Sequence, residues 1–266
     1  MTRKPRILML TGYGLNCEDE SSRAWELAGA EVIRQHLQDA MEDPSGLRDV
    51  QGLMFIGGFS FGDHMTSGHV FAHRVRHHLG DELRTFRDRG GIVLGVCNGF
   101  QILTKLGLLP GFEPELKPAI SLMQNDCGRF QNYWVTLGFD PKSPCIFTRG
   151  LDRLDLPIRH GEGKVFTPDK ALFERIRQQG CIPCRYLDDR GQSARKPPAN
   201  PNGSLDAAAG LCDPSGRVFG LMPHPEAYLF PENHPQWDRQ KTQGTLPETG
   251  GGLALFKNAV DYLRAA

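Results

Sequence analysis

Two short stretches of this 266-residue chain hold the residue types of a thiol-based hydrolytic site. The first is Gly95-Val96-Cys97-Asn98-Gly99, set between the apolar run Ile92–Val96 and the helical spacing of Phe100–Leu106. A sharp strand-to-helix turn strains the backbone of its central residue and leaves no room for large neighbours, hence the flanking glycines. Cys97 is lifted off a sheet edge at a helix N-terminus, where unpaired N–H groups and the helix dipole favour a thiolate. The second stretch is Pro223-His224-Pro225-Glu226, at the end of the apolar run Val218–Met222. A thiol nucleophile needs a base, and the base needs a partner that orients it. A third motif, Gly57-Gly58-Phe59-Ser60-Phe61-Gly62-Asp63, follows the apolar run Leu53–Ile56. A glycine pair beyond a strand leaves N–H groups free for close approach, the raw material of an oxyanion hole. Taken singly, these motifs also fit a small buried core cysteine, a histidine in a proline-rich turn and an ordinary turn. Together they supply complementary roles.

The elements that must position them alternate. Strands are expected at Arg6–Leu10, Ala30–Arg34, Leu53–Ile56 and Ile92–Val96, with helices at Asp19–Ala28, Val70–Arg89 and Phe100–Leu106. Val75, Leu79, Leu83 and Phe86 share one helical face, and Gly107 closes the helix after Cys97. Such alternation implies βαβ units and a parallel sheet covered on both faces. The second half is less regular. It reads as an alternating antiparallel strand at Phe130–Leu137, a short helix at Lys170–Gln179, irregular loops at 185–204 and 230–252, and a closing helix at Leu253–Leu263. The expected fold is α/β: an open, mostly parallel sheet with helices on both faces and an additional antiparallel portion. No stretch reads as a domain linker, so residues 1–266 are expected to form a single domain.

Composition narrows the function. Lys plus Arg and Asp plus Glu both number 31, for a net charge of +0, against the basic excess of a nucleic-acid or anionic-membrane binder. No run approaches the ~20 apolar residues of a membrane helix, and Ile7–Leu10 is too short for a signal-peptide core. Seven scattered cysteines, an odd number, fit a reduced cytoplasmic protein better than a disulfide framework.

VCNGFQ with PHPE and GGFSFGD resembles the class I (triad) glutamine amidotransferases. More narrowly, the chain is similar to the glutaminase subunits of phosphoribosylformylglycinamidine synthase. That likeness rests on Gly14-Leu15-Asn16-Cys17-Glu18, the run from Gly95 to Gly111, His160-Gly161-Glu162-Gly163, and Asn202-Gly203-Ser204-Leu205-Asp206 leading to GLMPHPE. The resemblance implies that Cys97 attacks the side-chain amide of glutamine, His224 protonates the leaving ammonia and then activates water, and Glu226 orients His224. It implies an oxyanion hole from backbone N–H groups of Gly58, Phe59 and Asn98, and substrate contacts from Gln101, Asn125 and Asp126. Released ammonia would pass to a synthetase subunit that aminates formylglycinamide ribonucleotide, with a small accessory subunit as a further partner. No phosphate-binding G-x-x-x-x-G-K-[ST] motif is present, so ATP and magnesium are expected on the synthetase and no cofactor on this chain. Service to a different synthetase, or a catalytically silent regulatory role, are the other readings of the same motifs.

The stretch TGYGLNCEDE and the 230–252 loop are longer than this family's usual pattern. Other signals carry less. Cys181-Ile-Pro-Cys184 lacks the second pair that a zinc ribbon needs, and His69, His73 and His77 sit among positive charge on a helix face, so no metal is expected. His160 is open to two readings, a second functional histidine or a turn packed beside the site.

Overall fold

Apolar runs that end in glycine become parallel strands, and the amphipathic stretches between them become helices. The computed structural model describes residues 4–265. It begins with β1 (Arg6–Thr11), α1 (Glu18–Ala28), β2 (Glu31–His36), α2 (Leu37–Glu42), β3 (Gly52–Phe55), α3 (His69–Asp88), β4 (Ile92–Val96) and α4 (Asn98–Leu106). Then come β5 (Ser121–Gln124), β6 (Gln131–Phe139), β7 (Arg153–His160), β8 (Glu162–Phe166), α5 (Lys170–Gln178) and β9 (Cys184–Tyr186). The chain closes with β10 (Ala208–Cys212), β11 (Val218–Leu221), α6 (Trp237–Thr242) and α7 (Leu253–Ala265).

A 9-stranded sheet has the order β2-β1-β3-β4-β11-β10-β9-β6-β7, and β5 and β8 make a separate antiparallel pair. From β2 to β11 the neighbours are parallel; from β11 to β7 they are antiparallel. Strands β3, β4 and β11 are buried throughout, as central parallel strands covered on both faces must be. The step from β1 to β2 runs one way along the sheet and the step from β3 to β4 the other. Right-handed crossovers therefore put their helices on opposite faces. On one face α1 meets α7, with Trp25 and Phe256 edge to face at 5.1 Å. On the other, α3 packs against α2 and α4, burying the expected stripe of Val75, Leu79, Leu83 and Phe86. The reversal of strand order opens a crevice at the carboxyl ends of the strands, where open α/β sheets bind ligands.

The antiparallel half holds the departures from expectation. Strands β5, β7, β8, β9 and β10 are absent from the sequence reading, and β9 occupies the start of the 185–204 stretch expected as loop. β7 carries Pro157, which argues against a strand, but it is the outermost strand of the sheet, where a missing N–H is tolerated. The 230–252 stretch is also not a plain loop. It holds a 3-10 turn at Pro231–Asn233 and α6. Trp134 on β6 pins it, with ring centroids 5.3 Å from Tyr228 and 5.0 Å from His234. Its far end returns to the residues just past Glu226, where the Gly250 and Gly252 N–H groups donate to the Leu229 and Tyr228 carbonyls at 2.9 and 3.0 Å. No helix among the described residues is long and apolar enough to cross a membrane.

Candidate active site

Cys97 caps the N-terminus of α4 with φ 51° and ψ −105°. That conformation costs a non-glycine residue about 1–3 kcal/mol. The fold holds it by close approach: a Cβ on Gly99 would stand 1.9 Å from the Phe55 carbonyl oxygen. The Cys97 N–H donates to the Leu221 carbonyl at 2.8 Å, tying the elbow to the end of β11. Its Sγ donates to the Arg159 carbonyl at 3.6 Å.

Beyond β11 the chain delivers His224, whose N–H donates to the Pro157 carbonyl at 2.8 Å. The imidazole Nδ1 lies 2.6 Å from Glu226 Oε1, and both side chains are buried. A carboxylate can only accept, so Nδ1 carries the proton. Nε2 has no conventional hydrogen-bond partner among the described residues, and the thiols of Cys97 and Cys17 both reach the ring. Burial by itself would lower the His224 pKa. The Glu226 carboxylate, Cys97 and the two thiol contacts outweigh it and hold the pKa well above the usual imidazole value.

Two cavities meet at Cys97. One, of ≈ 240 Å³, is lined by Gly58, Asp63, Gln101, Arg129, Phe130, Arg159 and Glu162 among others. The second, of ≈ 210 Å³, shares Gly58, Phe59, Cys97, Phe130 and Arg159 and adds Cys17, Glu20 and His224. The first carries both signs of charge, two guanidinium groups and two carboxyl groups, which complements a zwitterionic amino-acid head. Burial raises the pKa of Asp63, with Glu162 adding to the rise.

The expected oxyanion donors separate. Gly58, at φ +140°, keeps its N–H free of a backbone partner among the described residues. Asn98 opens α4, so its N–H has no intrahelical acceptor. Phe59 is a correction: its N–H donates to the Gly14 carbonyl at 2.7 Å and is not free to bind an oxyanion. The Asn98 side chain braces the loop instead, accepting from the Ser60 N–H at 3.3 Å and donating to Asp63 and Gln101 at 3.3 and 2.9 Å.

The expected substrate contacts also divide. Gln101 lines the first cavity, while its amide donates to the Glu162 carbonyl at 2.6 Å and so fixes the turn after β7. Asn125 and Asp126 are not among the residues lining that cavity. Asn125 is buried and donates to the Arg129 and His160 carbonyls at 3.0 and 2.9 Å, shaping the loop from beneath. Asp126 points outward and pairs with Lys164 at 2.5 Å. Arg129, Arg159 and Glu162 take the places facing the cavity. Arg129 lies only a few residues beyond the expected contacts Asn125 and Asp126, whereas Arg159 had no local signal because β7 was not expected as a strand.

His160 is buried, with Nδ1 3.1 Å from Asn125 Oδ1, and burial and the nearby His224 push its pKa down to about 3. Its imidazole is therefore neutral. Among the described residues, Cys17, His224 and Glu226 alone form a group with metal-ligand spacing; the α3 histidines do not. Cys181 and Cys184 are buried, their thiols raised respectively by hydrogen bonding with Cys212 plus burial and by burial. All seven cysteines are free thiols.

Comparison with known proteins agrees with this geometry. The profile of the CobB/CobQ-like glutamine amidotransferase domain matches residues 4–263. The phosphoribosylformylglycinamidine synthase subunit PurQ of Dehalococcoides mccartyi is 41% identical over 261 residues, covering 98% of each chain. Human phosphoribosylformylglycinamidine synthase is 35% identical over 97% of this chain, which spans only 20% of that longer protein. A chain in the structure of PurLQS from Thermotoga maritima superposes with a TM-score of 0.72 at 28% identity, covering 98% of this chain and 100% of its own. A nucleophile elbow, a paired histidine and carboxylate at the next strand end, and a family profile running almost end to end place this chain in the CobB/CobQ-like glutamine amidotransferase family.

Proposed function

We propose that this chain is the glutaminase subunit of phosphoribosylformylglycinamidine synthase, hydrolysing glutamine and passing ammonia to a synthetase subunit. The observation that carries the reading is the strained Cys97 between a zwitterion-sized cavity and the Glu226-bound imidazole of His224. The cavity of ≈ 240 Å³ is smaller than the ~300–1,000 Å³ of pockets for drug-sized ligands, as suits a free amino acid. Relatives named as subunits of this synthase, and the likeness to a chain of PurLQS, support the choice of partner.

Glutamine enters the first cavity, its carboxylate toward Arg129 and Arg159 and its ammonium toward Glu162 and Asp63. Cys97 Sγ attacks the side-chain carboxamide carbon, and the thiol proton passes to His224 Nε2. The developing oxyanion accepts from the Gly58 and Asn98 N–H groups, which are fixed before reaction and so cost no reorganisation. Collapse expels ammonia with the proton from His224 and leaves a glutamyl thioester. Water then attacks that thioester as His224 takes its proton, and the proton returns to sulfur as glutamate leaves. Glu226 holds the imidazole in the tautomer that each step uses. The second cavity, on the His224 side, provides the space through which water reaches the thioester.

On this reading residues 1–266 work as one amidotransferase unit. ATP and magnesium act on the synthetase, which aminates formylglycinamide ribonucleotide. A cytoplasmic setting is in keeping with seven free thiols. The decisive experiment mixes the chain with the synthetase subunit, ATP, magnesium and formylglycinamide ribonucleotide, and follows glutamate release together with amidine formation. Both should rise with added chain and stop with Cys97→Ala, while free ammonia still supports the synthetase. Glutamate release that survives Cys97→Ala, or a synthetase that gains no glutamine-dependent activity, rejects the proposal.

A further inference from the structure

The proposed hydrolysis uses one thiol, yet the base is approached by two. Cys17 is the residue just before α1, a place where serine, threonine, aspartate or asparagine ordinarily accepts from the first helical N–H groups. Its side chain makes no such bond. It is 4% exposed and turned inward, so that its Sγ, a ring nitrogen of His224 and a carboxylate oxygen of Glu226 all lie within 4.8 Å of one another. Gly57 leaves room for that contact: a Cβ there would stand 3.0 Å from both Cys17 Sγ and His224 Cε1. The turn that carries Cys17 is also tied to the loop that supplies Gly58. The Phe59 and Phe61 N–H groups donate to the Gly14 and Tyr13 carbonyls, both at 2.7 Å, and the Asn16 N–H donates to the Gly57 carbonyl at 3.4 Å. α1 itself packs on the Pro225–Ala227 turn, which holds Glu226.

We propose that Cys17 is a positioning residue of the glutaminase site: its thiol packs on the His224–Glu226 pair, keeps water from it and holds the imidazole facing Cys97. The effect on rate rests on the glutaminase reading; the contact with the ring does not. A thiol suits the place. It is bulky, polarisable and a weak hydrogen-bond donor, so it fills the space beside the ring without competing strongly for Glu226. Glu226 Oε2 is buried and has no hydrogen-bond partner among the described residues. A hydroxyl or a water admitted there would donate to it and draw the carboxylate away from Nδ1. In a dry site the attraction between Glu226 and the imidazolium is also screened less. Cys17 does not act as a second nucleophile. Burial pushes its thiol up to about 11, and Glu226 and Glu20 add to the rise, so it stays protonated while His224 serves Cys97. The two helix starts differ in the same sense: α1 carries Glu18, Asp19 and Glu20 in its first turn, whereas the first turn of α4 carries no acid.

The test compares the wild-type chain with Cys17→Ala and Cys17→Ser. In the full chain, isotope-labelled at histidine, NMR follows exchange of the His224 Nδ1–H proton with water. In the complex with the synthetase, ATP, magnesium and formylglycinamide ribonucleotide, glutamate release gives kcat and KM. Both variants should exchange that proton at least about tenfold faster, because water now reaches the pair. Their kcat should fall about 10–100-fold, the scale of a misplaced catalytic group, with KM for glutamine within about twofold of the wild type. Exchange and kcat that match the wild type in both variants overturn the proposal and leave Cys17 as core filling. A raised KM with unchanged kcat overturns it in favour of a wall of the glutamine cavity. In an active complex, a change in exchange alone or in kcat alone overturns it as well, since the two must move together. Faster exchange in the variants of a chain whose wild type releases no glutamate upholds the contact and rejects the glutaminase reading.

Discussion

The parallel and antiparallel halves of the sheet divide the labour. The parallel strands β3, β4 and β11 end side by side, and from those ends come the free N–H of Gly58, the Cys97 elbow and His224. The antiparallel side brings Arg159 at the end of β7, Glu162 at the start of β8 and Arg129 before β6, which wall the cavity. Bond making is thus assigned to rigid, fully buried strand ends, and recognition to a half built from edge strands and hairpins. The difference is physical. A nucleophile and its base need sub-ångström placement, which central parallel strands provide. Charged side chains that meet a zwitterion must be partly solvent-exposed before it arrives, and an edge can expose them.

Substitutions in the two halves should therefore fail in different ways. The largest effect is expected for Cys97→Ala, a loss of at least about 10⁴-fold in kcat/KM for glutamine, with ammonia-dependent amination by the synthetase intact. Glu226→Gln should come next, lowering kcat by roughly 10²–10⁴-fold through the wrong imidazole tautomer, with little change in KM. In the antiparallel half, Arg159→Ala should raise KM for glutamine about 10–100-fold while kcat falls less, the signature of lost uniform binding. A fall confined to kcat would break the proposed division and move Arg159 into the chemistry.

The remaining effect concerns stability. His160 has its folded pKa pushed down to about 3, mainly by burial, against about 6.5 in an unfolded chain. Below about 6.5 the unfolded state binds the extra proton, so this contribution is complete above that pH and is lost as pH falls toward 3. The unfolding free energy should drop by up to about 1.4 kcal/mol per pH unit across that window from this group. Urea midpoints measured between pH 7 and 4 should show the slope, and His160→Gln should flatten it. An unchanged slope in the variant would place the acid sensitivity elsewhere.

The same division governs what could be read beforehand. In the parallel half the apolar runs, glycine stops and helical stripes agree, so β1, β3, β4, α1, α3 and α4 emerge from periodicity. In the antiparallel half local signals conflict with the outcome. β10 is Ala-Ala-Gly-Leu-Cys, mostly residues of weak strand preference, β9 is three residues long, and β7 holds a proline. Tertiary burial overrides propensity there. Asn125 and Asp126 stand off the wall of the first cavity for the same reason, because which side chain of a loop faces a cavity depends on the strands beneath it. The occupied Phe59 N–H could not be foreseen either, since its acceptor, the Gly14 carbonyl, lies in another turn.

By itself the sequence determined the chemistry within each motif. Glycines at 95 and 99 permit only a tight turn around Cys97, and the spacing of His224 and Glu226 lets one orient the other, because those constraints act over a few residues. The tertiary structure decided everything that needs two motifs at once. Parallel registry sets Val96 beside Leu221 and brings the Cys97 sulfur to the His224 ring, and the turn before α1 adds Cys17 to the same ring. Such meetings depend on which strands become neighbours, a choice made by burial of the whole sheet and not by any one stretch of the chain.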